Sequence, residues 1–411
     1  MTQPAESSPS PESVLSVDTA VHGTAVLGDR VLPGALVLLQ EGRIVYAGPA
    51  HGAPVHRAAQ EVRHEGLVLP GLVDVHDHGG GGVSFPDCED PERALVAVRE
   101  HRRHGTTSLV ASLVTADADT LRRRVALLAG LHREGEIAGI HLEGPFISVA
   151  RKGAQNPAHI VAGDAELVAE LCEIGAGAVA TMTLAPEAEG ADAVLEALAA
   201  GGAVPSLGHT DASSEIMTRG IEQARRALES ARGRSALPSA THLFNGMRPI
   251  HHRDPGPALA ALDAAARGEL LVEVIADGVH LDARTVAHVF AIARPGCVLL
   301  VTDAMAAAGM ADGAYHLGAL DVTVAAGVAT LTEGGSIAGG TAHLIDVVRC
   351  AVQEAGVDLG AAVAAASTTP ARLLGAEGEI GVLAAGARAD VLLVDEDLQV
   401  QRVLREGVDV L

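Results

Sequence analysis

The stretch "LPGLVDVHDHGGGGVSF", Leu69 to Phe85, runs a short apolar segment straight into His-Asp-His and then into four glycines. Side chains alternate along a strand, so His76 and His78 share one face and Asp77 takes the other. Two imidazoles side by side at a strand's end suit a metal ion, and the glycines let the backbone turn sharply beside it. The competing reading is a pair of surface histidines ahead of a flexible loop. The rest of the chain decides between the two.

From about Pro70 to Gly375, short apolar runs alternate with Ala/Leu/Arg/Glu segments. The runs include "GTTSLVASLV", "IAGIHLEGPF", "AVATMTLAPE", "AVPSLGHT", "LPSATHLFNGM", "LVEVIADGVHL" and "CVLLVTDAM"; "PERALVAVREHRRHG" and "DADTLRRRVALLAGLHREG" read as helices. Near-continuous apolar strands alternating with helices imply a parallel sheet covered on both faces. Eight such units over this length predict an α/β fold, a (β/α)8 TIM-type barrel. The flanks have another grammar. Val14 to Leu69 and the C-terminal "GVLAAGARADVLLVDEDLQVQRVLREGVDVL" carry short Val/Leu/Ile runs broken by Gly turns, the pattern of antiparallel hairpins. The expected organisation is a tail over 1–13, Ser/Pro-rich and disordered, a small β-sandwich domain formed by both termini (14–69 plus 376–411), and the barrel over 70–375.

Composition narrows the function. The chain has 411 residues and a formal net charge of -23, which argues against nucleic acid, since phosphate backbones are bound through clustered Lys and Arg. Any anionic substrate needs a local positive patch. Trp is absent and there are only Tyr 2 and Phe 4, so the core is built from Val, Leu, Ile and Ala. Cys88, Cys172, Cys297 and Cys350 are scattered without CxxC spacing, which points to a reduced, cytoplasmic setting. No apolar run approaches the ~18 residues of a membrane span. The start lacks the basic-then-apolar layout of a signal peptide.

His76, His78, Glu143, His209, His242, His280 and Asp303 all fall at or just beyond strand ends, and in a barrel those ends converge on one face. Glu143 in "HLEGPFI", His209 in "SLGHTDAS" and His242 in "ATHLFNGM" make three protein ligands with an open position, the arrangement of a catalytic zinc site. Singly, each has an ordinary structural reading. His141 lies one layer deeper and reads as a packed or ligand-supporting histidine. Asp303 in "VLLVTDAM" could be a general base or a helix N-cap; its place at the barrel mouth favours the base. "RPIHHRDPG", Arg248 to Gly256, concentrates arginines whose planar forks suit phosphate, or it is a solvated basic loop. Lys152 is the only lysine and lies in a loop, so a strand-end carbamylated lysine bridging two metals is not expected.

Together "PGLVDVHDHGGGG", "HLEGPFI" with "RKGAQNP", "GHTDAS", "THLFNGM", "ADGVHL" and "VTDAM" resemble, in that order, the N-acetylglucosamine-6-phosphate deacetylase family of the amidohydrolase superfamily. The resemblance implies a barrel beside a terminal β-sandwich and hydrolysis of N-acetyl-D-glucosamine 6-phosphate to glucosamine 6-phosphate and acetate, in amino-sugar catabolism and cell-wall sugar recycling. It implies metal ligands at Glu143, His209 and His242, with His76 and His78 available to a second ion, so one or two divalent ions per subunit, Zn2+ or another first-row metal, with Zn2+ the first choice. It implies Asp303 as the catalytic acid/base. Substrate contacts are implied at Ala154, Gln155, Asn245, Gly246, Asp277, His280, Ile337, Ala338 and Gly339. Arg253 is implied to reach the phosphate of a neighbouring subunit, hence a homodimer. The Gln155 position usually carries histidine in the family; glutamine can donate a hydrogen bond but cannot be cationic. A deacetylase of N-acetylgalactosamine 6-phosphate, an amidohydrolase acting on a cyclic amide and a non-catalytic sugar-phosphate sensor remain as alternatives.

Overall fold

The computed structural model describes residues 14–410. The tail expected over 1–13 lies outside the described residues. Four long strands open the chain: β1 (Leu15–Leu27), β2 (Arg30–Gln40), β3 (Arg43–Pro49) and β4 (His56–Pro70). β1, β2 and β3 form the expected antiparallel meander, but β4 lies parallel to β1, with Leu15 opposite His56 and Val21 opposite Val62. The hairpin expectation fails there because the chain crosses over through residues 50–55 and re-enters the sheet on the far side of β1.

The barrel strands follow: β5 (Leu72–Asp77), β6 (Thr106–Leu113), β7 (Gly139–Glu143), β8 (Val179–Leu184), β9 (Val204–Leu207), β10 (Ser239–Ala240), β11 (Leu271–Val274) and β12 (Val298–Leu300). Each pairs in parallel with the next. Every residue of these strands is buried, which is why they read as apolar runs rather than as alternating ones. The ring closes beyond β12, where Asp303 N–H donates to His76 O at 2.9 Å and His78 N–H to Ala304 O at 2.7 Å. Helices α1 (Pro91–Arg103), α2 (Ala118–Arg133), α3 (Ala165–Gly175), α4 (Ala191–Ala200), α5 (Ser214–Ala231), α6 (Gly256–Arg267) and α7 (Ala283–Ile292) surround it. Asp90, Asp117, Asp164, Ser213 and Asp282 cap five of these helices, each side chain accepting from backbone N–H groups of the first turn.

Between β12 and the last helices the chain inserts a three-stranded meander: β13 (Gly313–Leu317), β14 (Leu320–Ala325) and β15 (Val328–Leu331). This meander departs from the strand–helix rhythm expected over 70–375. Alternation places Val322 and Val324 in a small apolar core with Met305 and Ala338. Helices α8 (Leu344–Gln353), α9 (Leu359–Ala365) and α10 (Thr368–Leu373) complete the outer layer. Strands β16 (Val391–Val394), β17 (Val400–Arg405) and β18 (Val408–Asp409) then return to the first sheet. Its order is β18-β17-β16-β4-β1-β2-β3, so both termini build one seven-stranded sheet. Val21, Val37 and Leu393 fall in one apolar set of this small domain and Val17, Ala20 and Leu36 in another. Among the described residues no helix is long and apolar enough to cross a membrane.

Candidate metal centre and active site

β5, β7, β9, β10 and β12 each end at the same mouth, and each brings one polar group or two to it. Glu143, the last residue of β7, sets its Oε1 3.0 Å from His209 Nε2 and 3.0 Å from His242 Nε2, and these two nitrogens stand 3.1 Å apart. His76 and His78 converge beside them, with their Nε2 atoms 3.1 Å apart and each 3.3 Å from Asp303 Oδ1. Glu143 Oε2 lies 3.3 Å from His78 Nε2, which joins the two sets. His209, His242 and Asp303 hold φ at 46°, 26° and 48°, a region that non-glycine residues enter only at some cost. The strand ends are bent so that these three side chains face the mouth rather than the helix layer.

Hydrogen bonds from behind orient the rings. His209 Nδ1–H donates to Arg151 O at 2.8 Å, so Nε2 is left with its lone pair toward Glu143. His76 Nδ1–H donates to Glu273 Oε2 at 3.0 Å, and the same oxygen accepts His242 N–H at 3.1 Å. Glu273 was not singled out from the sequence, although an acid inside the apolar run "LVEVI" was itself a signal, since buried carboxylates are rare without partners. Asp74 was also missed: it accepts from Thr302 Oγ1 at 2.6 Å and from His76 N–H at 3.2 Å, and burial pushes its carboxyl up to about 7. His141 sits one layer below, as expected, with Nδ1 3.0 Å from Ser112 Oγ and Nε2 2.8 Å from Thr183 Oγ1.

The electrostatics of the mouth favour a cation. Burial disfavours the imidazolium of His76, but Asp303, Glu273 and Glu143 outweigh it and push the group up to about 9. His78 goes up to about 10 against the same burial, through Asp303 and Glu143. Burial likewise opposes ionisation of Glu143 and Asp303, yet their imidazole neighbours hold both carboxyls well below the usual range. Separations of 3.0–3.1 Å within the Glu143, His209 and His242 triangle suit N and O ligands with bonds of roughly 2.0–2.2 Å. The His209 lone pair aimed inward, the carboxylates of buried Glu143 and half-buried Asp303, and no Lys or Arg paired with them among the described residues fit a divalent metal ion. His76, His78 and Asp303 form a second group of suitable donors beside the first.

A cavity of about 330 Å³ opens onto these groups. Its wall includes His78, Glu143, His209, His242 and Asp303, with Gly153, Ala154, Gln155, Asn245, Gly246 and His280; Leu317 of the inserted meander, Ser336, Ile337 and Gly339 complete the lining. His76, Ala338, Asp277 and Arg253 stand outside that lining. His76 and Ala338 are fully buried behind it. Asp277 holds His280 from the rear, Oδ2 to Nδ1 at 2.8 Å. Arg253 projects from an exposed loop, its Nη1 2.8 Å from His252 Nε2, and pairs with no carboxylate among the described residues. Arg248 of the same loop is instead tied to Asp211 and Asp254, each at 3.1 Å. Gln155 is committed differently from the expectation that it holds an acetamide: Nε2 donates to Glu143 Oε2 at 2.5 Å, and Oε1 accepts Thr115 N–H at 2.7 Å.

An eight-stranded barrel whose strand ends present imidazoles and carboxylates around a cation-favouring mouth defines a class of hydrolase. The sequence pattern of the amidohydrolase family matches residues 67–410, and the chain belongs to that family. Within it, the chain is similar to deacetylases of phosphorylated N-acetyl amino sugars. The human protein of that name is 36% identical over 365 residues, covering 85% of each chain. A solved structure of the Mycobacterium smegmatis N-acetyl-D-glucosamine-6-phosphate deacetylase, a mutant in complex with N-acetyl-D-glucosamine-6-phosphate, superposes with a TM-score of 0.86 at 39% identity, over 96% of this chain and 100% of that one. An N-acetylgalactosamine-6-phosphate deacetylase of Escherichia coli O157:H7 is 33% identical over 347 residues, 83% of this chain and 87% of its own.

Proposed function

We propose that the chain hydrolyses the acetamide of N-acetyl-D-glucosamine 6-phosphate, releasing acetate and D-glucosamine 6-phosphate, in amino-sugar catabolism and the recycling of cell-wall sugars. The observation that carries the reading is the meeting of Glu143, His209 and His242 under a cavity that Asp303 also enters. These three residues would hold the divalent ion, which we take to be Zn2+, and His76 with His78 could hold another. When bound, the ion supplies Lewis acidity, lowering the pKa of a water toward ~7 and polarising the amide oxygen. Asp303, kept ionised beside His76 and His78, takes the proton of the attacking water and returns it to the leaving amine.

The remaining residues position the sugar. Asp277 accepts His280 Nδ1–H, so His280 Nε2 offers a lone pair to a substrate hydroxyl from 4.0 Å beyond Asp303 Oδ2. Ala154, Asn245, Gly246, Ile337 and Gly339 line the space a hexosamine would occupy, with Ala338 behind them. Gln155 steadies Glu143, and one N–H of its amide remains for the acetamide. Arg253, which stands outside its own subunit's cavity, would anchor the phosphate in the neighbouring site of a homodimer. Binding energy at the phosphate, remote from the reacting carbon, then contributes to alignment. A cytoplasmic location fits a phosphorylated substrate and four free cysteines.

The 33% identity to an N-acetylgalactosamine-6-phosphate deacetylase motivates a second reading, the C4 epimer as substrate. Acetate release by zinc-loaded protein from the two phosphorylated amino sugars, and from unphosphorylated N-acetylglucosamine, tests both. Preference for the glucosamine ester is expected. Preference for the galactosamine ester selects the second reading, and no acetate from any of the three substrates leaves a sugar-phosphate sensor.

A further inference from the structure

Outside the barrel, α1 and the N-terminal end of α8 bring together a second set of metal-ligating side chains that the deacetylation does not use. We propose that Glu100, His104 and His343 form a separate binding site for a borderline divalent ion such as Zn2+, fastening α1 to the segment that enters α8. Glu100 Oε1 lies 3.1 Å from His343 Nε2 and 3.3 Å from His104 Nδ1. One ligand atom from each of the three residues falls within 4.8 Å of the others. Two sides of this triangle thus match, within a few tenths of an ångström, those of the Glu143, His209 and His242 set. The His104 and His343 rings stack face to face, centroids 3.6 Å apart and 15° from parallel, so both present an edge to the same carboxylate oxygen.

The donor chemistry suits an ion of this class: two imidazoles and a carboxylate. Glu100 and His104 stand four residues apart, one turn of helix, which places both on one face at the end of α1. His104 Nδ1 also lies 2.8 Å from Glu100 O, a helix-end contact it would exchange for the ion. Arg103 touches only the other carboxylate oxygen, at 3.7 Å.

The surroundings are shaped around the carboxylate. A Cβ on Gly309, which holds φ at 74°, would stand 2.2 Å from Glu100 Oε1, so only glycine lets that loop close over it. Behind the cluster, His101 is fully buried, its Nε2 3.0 Å from Gly79 O and 3.1 Å from Asp77 Oδ2, with its ring 5.4 Å edge-on from His343. His101 Nδ1 has no hydrogen-bond partner. His343 ends the segment that begins with the cavity-lining residues Ser336, Ile337 and Gly339. An ion here would therefore brace the far end of the loop that borders the active cavity.

The experiment is diffraction from crystals of the full chain soaked in Zn2+, with data above and below the zinc absorption edge. An anomalous peak bonded to Glu100, His104 and His343, distinct from any peak at Glu143, is the expected result. In solution, Glu100→Gln and His104→Ala should each bind one zinc equivalent fewer than the parent, with turnover within about twofold of it. An empty cluster beside a zinc-filled Glu143 centre overturns this inference and leaves the hydrolase reading intact. An unchanged zinc count in both variants overturns it as well.

Discussion

Replacing Asp303 by Asn separates chemistry from architecture. Asp303 occupies the left-handed region at φ 48°, where Asp and Asn are tolerated far better than alanine, so Asn keeps the backbone that closes the barrel. The amide also keeps the size of the carboxylate 3.3 Å from His76 and His78 Nε2. What is lost is the negative charge and the ability to take and return a proton. General acid–base groups contribute about 10²–10⁴ in rate, and roughly 10³ corresponds to about 4 kcal/mol of barrier. We expect kcat for acetate release to fall by about 10³-fold. Zinc at the Glu143, His209 and His242 centre should stay at parent stoichiometry, because Asp303 is no member of that triangle. The assay is acetate production under saturating substrate, paired with metal analysis of the same preparation. A kcat within tenfold of the parent, with metal retained, would refute the assignment of the proton transfers to Asp303.

Glu273→Gln should weaken zinc binding by roughly 10–100-fold, as removal of a carboxylate behind a ligating histidine does; competition with a chromophoric chelator reads it, and parent affinity would mean that Glu273 does not orient His76 and His242. Gln155→Ala strips buried Thr115 N–H of its acceptor and Glu143 of a donor, a loss of about 1–3 kcal/mol of stability measurable by urea denaturation. An unchanged midpoint would show that the pair is dispensable. Burial opposes ionisation of Asp277, but its hydrogen bond and charge attraction with His280 outweigh it and depress its folded value below 3.8. Its contribution is therefore complete above the ordinary carboxylate value and disappears as pH falls through the folded one. The stability gap between parent and Asp277→Asn should shrink below about pH 4 as the carboxylate takes up a proton; a gap that persists unchanged into acid rules out a contribution from the ionised carboxylate. Dialysis against a chelator should abolish acetate release and added Zn2+ should restore it, whereas undiminished turnover by metal-free protein would contradict the metal assignment.

The barrel was legible because its strands are buried on both faces and therefore stand out as apolar runs, several of them ending in a His, Glu or Asp at the mouth. Those terminal residues also located the mouth. Other features answer to partners distant in sequence. The parallel pairing of β1 with β4 carries no local signature, since Leu15–Leu27 would present the same alternation beside a hairpin partner. The meander over 313–331 sits where the rhythm called for a helix, and its Ala and Gly content hides the alternation of Val322 and Val324. The binding partners of Gln155 were equally unreadable: whether an amide faces a substrate or a neighbouring carboxylate depends on a loop conformation that positions Thr115 N–H against it.

The positive φ angles at His209, His242 and Asp303 explain why the site can be described by strand ends at all. A side chain at a regular strand terminus points either into the barrel or out toward the helices, and neither direction delivers three groups to one point above the barrel axis. A turn into the left-handed region at the first residues past the strand redirects the side chain, at a cost on the order of 1 kcal/mol each. The cost is borne where the backbone is best secured: Asp303 N–H is held by His76 O, and Asp303 O accepts Gly340 N–H at 2.6 Å. The bond that closes the barrel therefore joins the backbone of the proposed base to that of a proposed metal ligand. Loosening it would separate Asp303 from His76 without altering any side chain in the cavity. The stability of β5 against β12 and the alignment of the proton transfer are in this sense one property, and variants that weaken the first should lose the second before they lose the fold.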